Sequence, residues 1–160
     1  MKTLVYFLCA GIILTSCTKT DIAPVKNSVS SANEDDASIL KVRSALLTAH
    51  PWMYQRFYFH YVDNNNKGDV QYERGSTHNI IDLDATRYFF RSNGTFVEFD
   101  GGYRYPGTWH FTDRTATVLV LNYNFWTNDC TIITFTNNHL TYTEPMGYGA
   151  KSFTELIPAR

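Results

Sequence analysis

The hydrophobic positions of this chain follow two different periods, and the change occurs near Trp52. Before that point, large apolar residues recur close to the helical spacing: Ile39, Leu40, Val42, Leu46, Leu47. Asp35 or Asp36 is suited to cap this segment at its start. Pro51 disfavours helical backbone at His50, so the sequence predicts a short helix that ends before this proline.

From Trp52 onward the pattern is typical of β-strands. Tyr, Phe, Val, Ile and Thr dominate, and turns rich in Gly or Asn interrupt them at short intervals. Nine segments are predicted as strands: 52–62, 69–74, 86–91, 95–100, 103–111, 115–123, 129–136, 139–144 and 151–157. Consecutive hairpins favour an up-and-down meander, and closure removes the exposed edges. The predicted fold is an all-β, antiparallel up-and-down barrel of about eight strands with a short N-terminal helix.

The turn Asn93-Gly94 sets the predicted register of one hairpin. This dipeptide is typical of a two-residue type I′ turn, because both of its positions need positive φ. Such a turn places Phe90 opposite Val97 on the inner face of the sheet. By the same alternation, Glu98 is predicted on the outer face.

The turn Asn137-Asn138 sets the register of a second hairpin, in which Phe135 lies opposite Leu140 and Ile133 lies opposite Tyr142. Other short turns are predicted at 63–68 and 112–114. The residues predicted to point inward are Tyr88, Phe90, Val97, Phe99, Trp109, Phe111, Ile133, Phe135, Leu140 and Tyr142.

The N-terminus carries a separate signal. Lys2 precedes an apolar run of 11 residues, Leu4–Leu14, which has the length of a signal-peptide core and is shorter than the ~20 residues that span a bilayer. The next residues, Thr15-Ser16-Cys17, complete a pattern that resembles the lipobox of bacterial lipoproteins. The resemblance implies a diacylglycerol on the Cys17 thiol, cleavage before this residue, and an acyl chain such as palmitate on the new amino group.

This interpretation divides the chain into a signal peptide (1–16), a lipidated flexible tether (17–34) and a barrel domain (35–160). Residues 18–33 are poor in large apolar side chains, so the tether is predicted to reach about 20–25 Å as a coil. Thr18 stands where the inner-membrane retention signal of enteric bacteria places Asp, which predicts the outer membrane. The alternatives are an ordinary secretory signal and an uncleaved anchor. The membrane face and the oligomeric state stay open.

A family resemblance covers roughly Leu46 to Ile157. It rests on two runs, Tyr88–Phe96 (YFFRSNGTF) and Tyr105–Phe111 (YPGTWHF). These are similar to the hairpin and the "Tyr-x-Gly-Thr-Trp" strand of small lipocalin-like domains in Gram-negative lipoproteins. His50–Trp52 departs from the Gly-x-Trp that lipocalins tend to have in the first strand. The resemblance implies a lipocalin-like barrel and names no ligand.

Charge and cysteine content argue against a nucleic-acid partner and against an internal disulfide. Loss of Lys2 with the signal peptide takes the basic residues from 14 to 13, against 15 acidic residues, and no basic run is present. A nucleic-acid partner is therefore not expected. Cys9 leaves with the signal and Cys17 is lipidated, so Cys130 remains alone, which rules out an internal disulfide. Cys130 is predicted to be a small apolar filler of the core.

Catalytic and metal motifs are absent from the sequence. The segment 63–69 is similar to a calcium loop, but Lys67 and Arg74 stand at positions that need ligands. The five histidines are scattered, and no nucleophile elbow, phosphate loop or dinucleotide fingerprint occurs. Asp82 and Asp84 are interpreted as solvated loop acids. We expect a protein that is not an enzyme, with no catalytic residue, no metal and no cofactor.

Aromatic residues, 16% of the chain, are the remaining functional clue. Those near predicted strand ends are candidates to bind an apolar ligand or a sugar, or to cover the barrel against water: Tyr103, Tyr105, Tyr123, Phe125, Trp126, with Trp109. The leading hypothesis is an envelope lipoprotein that binds a small apolar or amphipathic ligand in or at the mouth of the barrel. The alternatives are a protein-interaction module (an inhibitor or accessory subunit) with a filled barrel, and a surface glycan-binding module. An interior cavity of ~300 Å³ or more would favour the first.

Overall fold

A computed structural model describes residues 30–63 and 68–160, with side chains from Asp35 onward. The described part of the chain forms one helix and nine strands, and each predicted strand is present. In chain order the elements are α1 (Ser30–Thr48), β1 (Trp52–Phe59), β2 (Asp69–Glu73), β3 (Arg87–Phe90), β4 (Thr95–Asp100), β5 (Tyr103–Phe111), β6 (Val118–Tyr123), β7 (Thr127–Phe135), β8 (Leu140–Gly147) and β9 (Ala150–Pro158).

The strands form a closed antiparallel barrel. Neighbouring strands follow the chain from β3 to β9, and β9 pairs with β1 to close the sheet. The other edge of β1 is shared: Trp52 and Met53 pair with β3, whereas Arg56 to Phe59 pair with β2. Eight strands therefore make the barrel, and β2 is an additional strand on β1. The predicted up-and-down barrel with a short N-terminal helix is confirmed.

Helix α1 covers one end of the barrel, which we call the helix end. Arg43 Nη1 donates a hydrogen bond to the backbone oxygen of Ala116 at 2.7 Å. The indole nitrogen of Trp52 donates to the backbone oxygen of Leu47 at 2.9 Å. The loops 91–94, 112–117 and 136–139 lie at this end, and residues 60–63, 101–102, 124–126 and 148–149 lie at the opposite end, the mouth end.

The largest fully buried side chains concentrate towards the helix end, where α1 seals the barrel. They include Leu47, Trp52, Leu119, Leu140 and Leu156. Farther along the axis, Tyr72, Phe96 and Leu121 are also fully buried or nearly so. Burial of these apolar groups is the main source of stability for a domain of this size.

The β3–β4 hairpin does not have the predicted turn. Its loop has three residues, with Gly94 in the left-handed region (φ +80°) and the backbone N–H of Gly94 donating to the oxygen of Arg91 at 3.1 Å. Phe90 therefore pairs with Phe96, and Tyr88 pairs with Glu98. A shift of one residue exchanges the two faces of a strand, so the whole predicted pattern of β4 is inverted.

Three predicted orientations in β4 are wrong for this reason. Val97 and Phe99 belong to the outer face, where the Phe99 ring meets Phe89 edge-on at 5.3 Å. Val97 is buried even so. Phe96, which was not predicted in the core, points inward, and so does Glu98, which was predicted outside.

The β7–β8 hairpin confirms the predicted pairing of Phe135 with Leu140. One residue farther on, a β-bulge between Ile132 and Thr134 corrects the prediction for Ile133. Ile133 is the extra residue and is 51% exposed, and Ile132 takes its place opposite the buried Tyr142. The other predicted inward residues are buried in the core or packed against it: Tyr88, Phe90, Trp109, Phe111, Phe135, Leu140, Tyr142.

The loop predicted as a short turn at 112–114 extends over 112–117. The carboxylate of Asp113 organises it by accepting hydrogen bonds from the hydroxyl groups of Thr115 and Thr117. Desolvation raises the pKa of Asp113, but these hydrogen bonds outweigh it and lower the pKa to about 2.

The helix differs from its prediction at one end. It ends at Thr48, before Pro51, but it begins at Ser30, inside the segment interpreted as a tether. Cys17, the predicted signal peptide and most of the predicted turn at 63–68 lie outside the described residues. Within the described residues, no helix has both the length and the apolarity that a membrane-spanning helix needs.

Candidate functional site at the mouth end

Four of the six predicted binding residues meet in one cleft at the mouth end. Tyr105, Tyr123, Phe125 and Trp126 line a cleft of about 170 Å³, which Arg104, Pro106 and Asn124 complete. We call it the rim cleft. The other two predicted residues, Tyr103 and Trp109, do not line it: Tyr103 is 71% exposed, and Trp109 is buried, with its indole N–H donated to the oxygen of Arg91 at the helix end.

A difference in strand length creates the rim cleft. β5 begins at Tyr103, but its pairing with β6 starts only at Gly107, opposite Tyr123. The first residues of β5 therefore extend beyond the end of β6, and the turn 124–126 lies beside them. The backbone N–H of Tyr123 donates to the oxygen of Trp126 at 2.8 Å, which closes this turn and sets the position of the indole.

The rings of the rim cleft are ordered by stacking. Trp126 stacks on Tyr123 with centroids 4.6 Å apart and an interplanar angle of 21°. Tyr123 in turn meets the buried Phe96 edge-on at 5.0 Å. One face of Trp126 is thus fixed against the barrel, and the residue is still 47% exposed, while Phe125 is 91% exposed. Large apolar side chains that are exposed and fixed in position in this way are suited to contact another molecule.

Gly107 lets Phe96 reach this position. A Cβ atom at Gly107 would lie 2.5 Å from the Phe96 ring and 2.4 Å from the backbone oxygen of Asn122. Any larger residue at this position forces the ring or the neighbouring strand to move. The glycine of the "Tyr-x-Gly-Thr-Trp" pattern is therefore required by the packing that supports Tyr123.

Below the rim cleft, the barrel interior is polar. Glu98 points inward and accepts a hydrogen bond from the Tyr123 hydroxyl at 2.7 Å. Desolvation raises the pKa of Glu98, and hydrogen bonds from Tyr123 and Tyr88 offset only part of this effect. The Tyr88 hydroxyl also shares a 2.7 Å hydrogen bond with that of Tyr54.

A second inward carboxyl group, Glu144, lies near the first. The Cys130 thiol donates to Glu144 Oε1 at 3.2 Å, and the Ser152 hydroxyl donates to Oε2 at 3.5 Å. Desolvation raises the pKa of Glu144, these two hydrogen bonds lower it, and repulsion from Glu98 raises it further, so that the net shift is upward. Burial also raises the pKa of the Cys130 thiol, which therefore stays protonated.

Sequence reasoning missed this interior cluster. Glu144 follows Leu140 and Tyr142 at every second position, so the alternation along β8 would have placed it inside. The inward position of Glu98 was not predicted, because the predicted register of β4 was wrong by one residue. The hydroxyl groups of Tyr54, Tyr88 and Tyr123 find partners within the cluster, and among the described residues no buried side-chain nitrogen or oxygen atom lacks a hydrogen bond.

Two of the histidines, His60 and His139, lie close to carboxylate groups at the surface. His60 Nδ1 lies 2.7 Å from Asp69 Oδ2, and His139 Nδ1 lies 3.1 Å from Glu155 Oε1. Over residues 30–63 and 68–160, no group of three or more His, Cys, Asp or Glu side chains is arranged to hold a metal ion. The rim cleft and the interior below it combine aromatic rings, the Arg104 guanidinium group and two inward carboxyl groups.

The chain shows limited similarity to known proteins. No protein-family model matches the chain, and no curated protein matches it. Among solved structures, the chain is similar to a DUF4847 family protein from Bacteroides vulgatus ATCC 8482, with a TM-score of 0.47 and 15% sequence identity. The match covers 68% of this chain and 93% of that protein. Neither a family nor a function for this chain follows from these comparisons.

Proposed function

We propose that this protein is a non-enzymatic binding module that holds a small amphipathic ligand in the rim cleft. The observation that carries the proposal is the combination of a fixed Tyr123–Trp126 stack with an open wall formed by Phe125. The ligand's apolar part lies against the rings and its polar part remains in water. In this proposal the module is a lipocalin-like lipoprotein of the bacterial cell envelope, attached to the outer membrane through lipidated Cys17.

The size of the rim cleft limits the ligand. Its volume of about 170 Å³ is below the ~300–1,000 Å³ of sites that enclose a drug-sized molecule. A single ring or a short alkyl chain fits, with the rest of the ligand outside. Stacking and apolar burial on Phe125 and Trp126 would each contribute ~1–3 kcal/mol to binding.

A protein-interaction module is the second candidate function, and the filled interior favours it. Trp52, Phe96 and Leu121 lie in the core with almost no exposed surface. In that case the exposed rings of the mouth end, such as Phe125 and Tyr148, contact a partner protein instead of a small ligand. A glycan-binding module would use the same Tyr123–Trp126 stack against a sugar ring.

Tryptophan fluorescence separates these functions, because Trp52 and Trp109 are buried and Trp126 is partly exposed. Acrylamide quenching of the chain from Thr18 onward, which contains the complete helix and barrel, reports chiefly on Trp126. We expect saturable protection from quenching by 3-phenylpropan-1-ol, a neutral amphipathic probe. Protection by maltotriose alone would favour the glycan function. Protection by neither would favour the protein-interaction module.

Two rim variants form a matched pair for this experiment. Phe125→Ala removes an exposed ring of the rim cleft, and Tyr103→Ala removes an exposed ring of the same end that does not line it. We expect Phe125→Ala to weaken binding of the alcohol by roughly tenfold and Tyr103→Ala to leave it unchanged. Equal effects of the two variants would contradict the placement of the ligand in the rim cleft.

The anchoring part of the proposal has its own test. Cys17→Ser removes the thiol that would carry the diacylglycerol, so the variant should leave the membrane fraction or accumulate unprocessed. A variant that fractionates and migrates like the wild type would show that Cys17 is not the anchor.

A further inference from the structure

The rim cleft has one charged side chain in its wall, Arg104. In the β4–β5 register Arg104 pairs with Phe99, on the outer face, and its guanidinium carbon lies 5.3 Å from the centroid of the Phe99 ring. A guanidinium group held over an aromatic face keeps its N–H donors available around its edge. Arg104 is therefore positioned at the outer border of the rim cleft.

Arg104 has no acidic partner among the residues that the structure describes. The ion pairs of the described residues involve Arg56, Arg74, His60 and His139, and none of them includes Arg104. Arginine side chains at ligand sites recognise carboxylate and phosphate groups through two parallel hydrogen bonds. An unpaired guanidinium beside exposed rings thus supplies one polar contact next to an apolar surface.

The barrel interior below the rim cleft has the opposite character. The Tyr123 hydroxyl donates to Glu98, and the Cys130 thiol and the Ser152 hydroxyl donate towards Glu144. These three donors are already used, and the groups they serve are carboxyl groups. An anionic group would have to compete with these carboxyl groups for the donors, so the outer side, at Arg104, suits it better.

We infer that the ligand of the rim cleft is an anionic amphipathic molecule, whose apolar ring or chain lies on Phe125 and Trp126 and whose carboxylate or equivalent anion binds Arg104. This inference rests on the proposed function. It adds the sign of the ligand's charge and the residue that binds the charged group. The competing assignment is a cationic ligand, held over the Tyr123 and Trp126 rings and attracted by Glu98.

Three probes with one apolar body test the charge: 3-phenylpropanoate, 3-phenylpropan-1-ol and 3-phenylpropan-1-amine. Dissociation constants are measured by calorimetry with the chain from Thr18 onward. We expect the anion to bind roughly three- to tenfold more tightly than the alcohol, and the amine to bind least tightly. Raising the salt concentration should weaken binding of the anion and leave the alcohol unaffected.

Arg104→Gln is the decisive variant, and Arg91→Gln, at an exposed arginine of the helix end, is its matched control. Arg104→Gln should abolish the preference for the anion over the alcohol, and Arg91→Gln should keep this preference. If Arg104→Gln keeps the preference, or if the amine binds best to the wild type, the inference is overturned while the proposed function stands. If no probe binds to the wild type, the proposed function fails, and the charge assignment fails with it.

Discussion

The two ends of the barrel differ in what fills them. At the helix end, α1 and large apolar side chains such as Trp52, Leu119 and Leu140 leave no exposed surface inside. At the mouth end, two inward carboxyl groups, Glu98 and Glu144, are held by hydroxyl and thiol donors below a rim of exposed rings. The apolar end therefore carries most of the free energy of folding, and the polar end carries groups that burial disfavours.

This division explains why a small domain can tolerate polar groups in its interior. A protein keeps groups that weaken its fold only where the rest of the structure compensates for them, and such places are commonly functional. The rim cleft lies above the two inward carboxyl groups, which burial disfavours. The helix end, which α1 covers, lies at the opposite end of the barrel. The comparison predicts that equal changes at the two ends have unequal effects on folding and on binding.

The largest expected effect is the truncation of a core ring at the helix end. Trp109→Ala removes a buried indole whose N–H is donated to the Arg91 oxygen at 3.0 Å, so the free energy of unfolding should fall by about 3–5 kcal/mol. Chemical denaturation measures this loss. Phe125→Ala, at the mouth end, should change the same quantity by less than about 0.5 kcal/mol. Similar losses from both variants would contradict the proposed division between the ends.

The fold was predictable because each hairpin carries its own local signal. Alternation of apolar residues and Gly or Asn turns located all nine strands, and short connections left the meander as the simple topology. At the Asn137-Asn138 turn, a true two-residue loop made the predicted pairing of Phe135 with Leu140 correct. Farther along the same strands, the bulge that exposes Ile133 has no local sequence signal, because it depends on how the barrel curves.

The candidate site was predictable only in part. The rim aromatics were selected only because they lie near predicted strand ends. Four of them line one cleft: Tyr105, Tyr123, Phe125 and Trp126. Glu98, one of the two inward carboxyl groups below the rim cleft, was missed because Asn93-Gly94 suits both a two-residue turn and the three-residue loop that forms. One additional loop residue moved Glu98 from the predicted outer face to the interior, and no local pattern distinguishes these outcomes.

The next prediction concerns access to the interior from the mouth end. In the chain from Thr18 onward Cys130 is the single cysteine, and it is fully buried with its thiol bonded to Glu144. Burial raises the pKa of this thiol, so little reactive thiolate is present in the folded protein. We expect a thiol reagent to label the native protein at least about 100-fold more slowly than the urea-unfolded chain.

The labelling rate also shows whether the reagent reaches Cys130 by local opening of the mouth end or by global unfolding. If Cys130 becomes accessible through local opening of the mouth end, a milder helix-end variant, Trp109→Phe, should leave the labelling rate within about twofold. If access requires global unfolding, the rate should rise in proportion to the stability that Trp109→Phe loses. Because the Cys130 thiol is bonded to Glu144, one of the two carboxyl groups that burial disfavours, we expect the local route, and a proportional rise would contradict it.

The smallest expected effect is the removal of a carboxyl group from the mouth end. Desolvation raises the pKa of Glu144 above its ordinary value of 4.5, since hydrogen bonds from Cys130 and Ser152 offset burial only in part. The folded protein thus keeps this proton at pH values where the unfolded chain has lost it. The contribution of Glu144 to stability is therefore full below about pH 4.5 and is lost as the pH rises through the folded pKa.

Glu144→Gln cannot ionise, so it should raise the free energy of unfolding at pH 7 by up to about 1 kcal/mol. The gain should shrink towards zero as the pH falls to 4, where the wild-type carboxyl group is protonated in both states. Denaturation curves at several pH values measure the difference. The matched control, Glu73→Gln, removes a surface carboxylate that pairs with Arg56 at 3.2 Å, and it should bring no such gain. A loss of stability in Glu144→Gln at pH 7, or a gain that does not depend on pH, would show that the mouth end accommodates its interior charge without cost, and the two ends would then differ in composition alone.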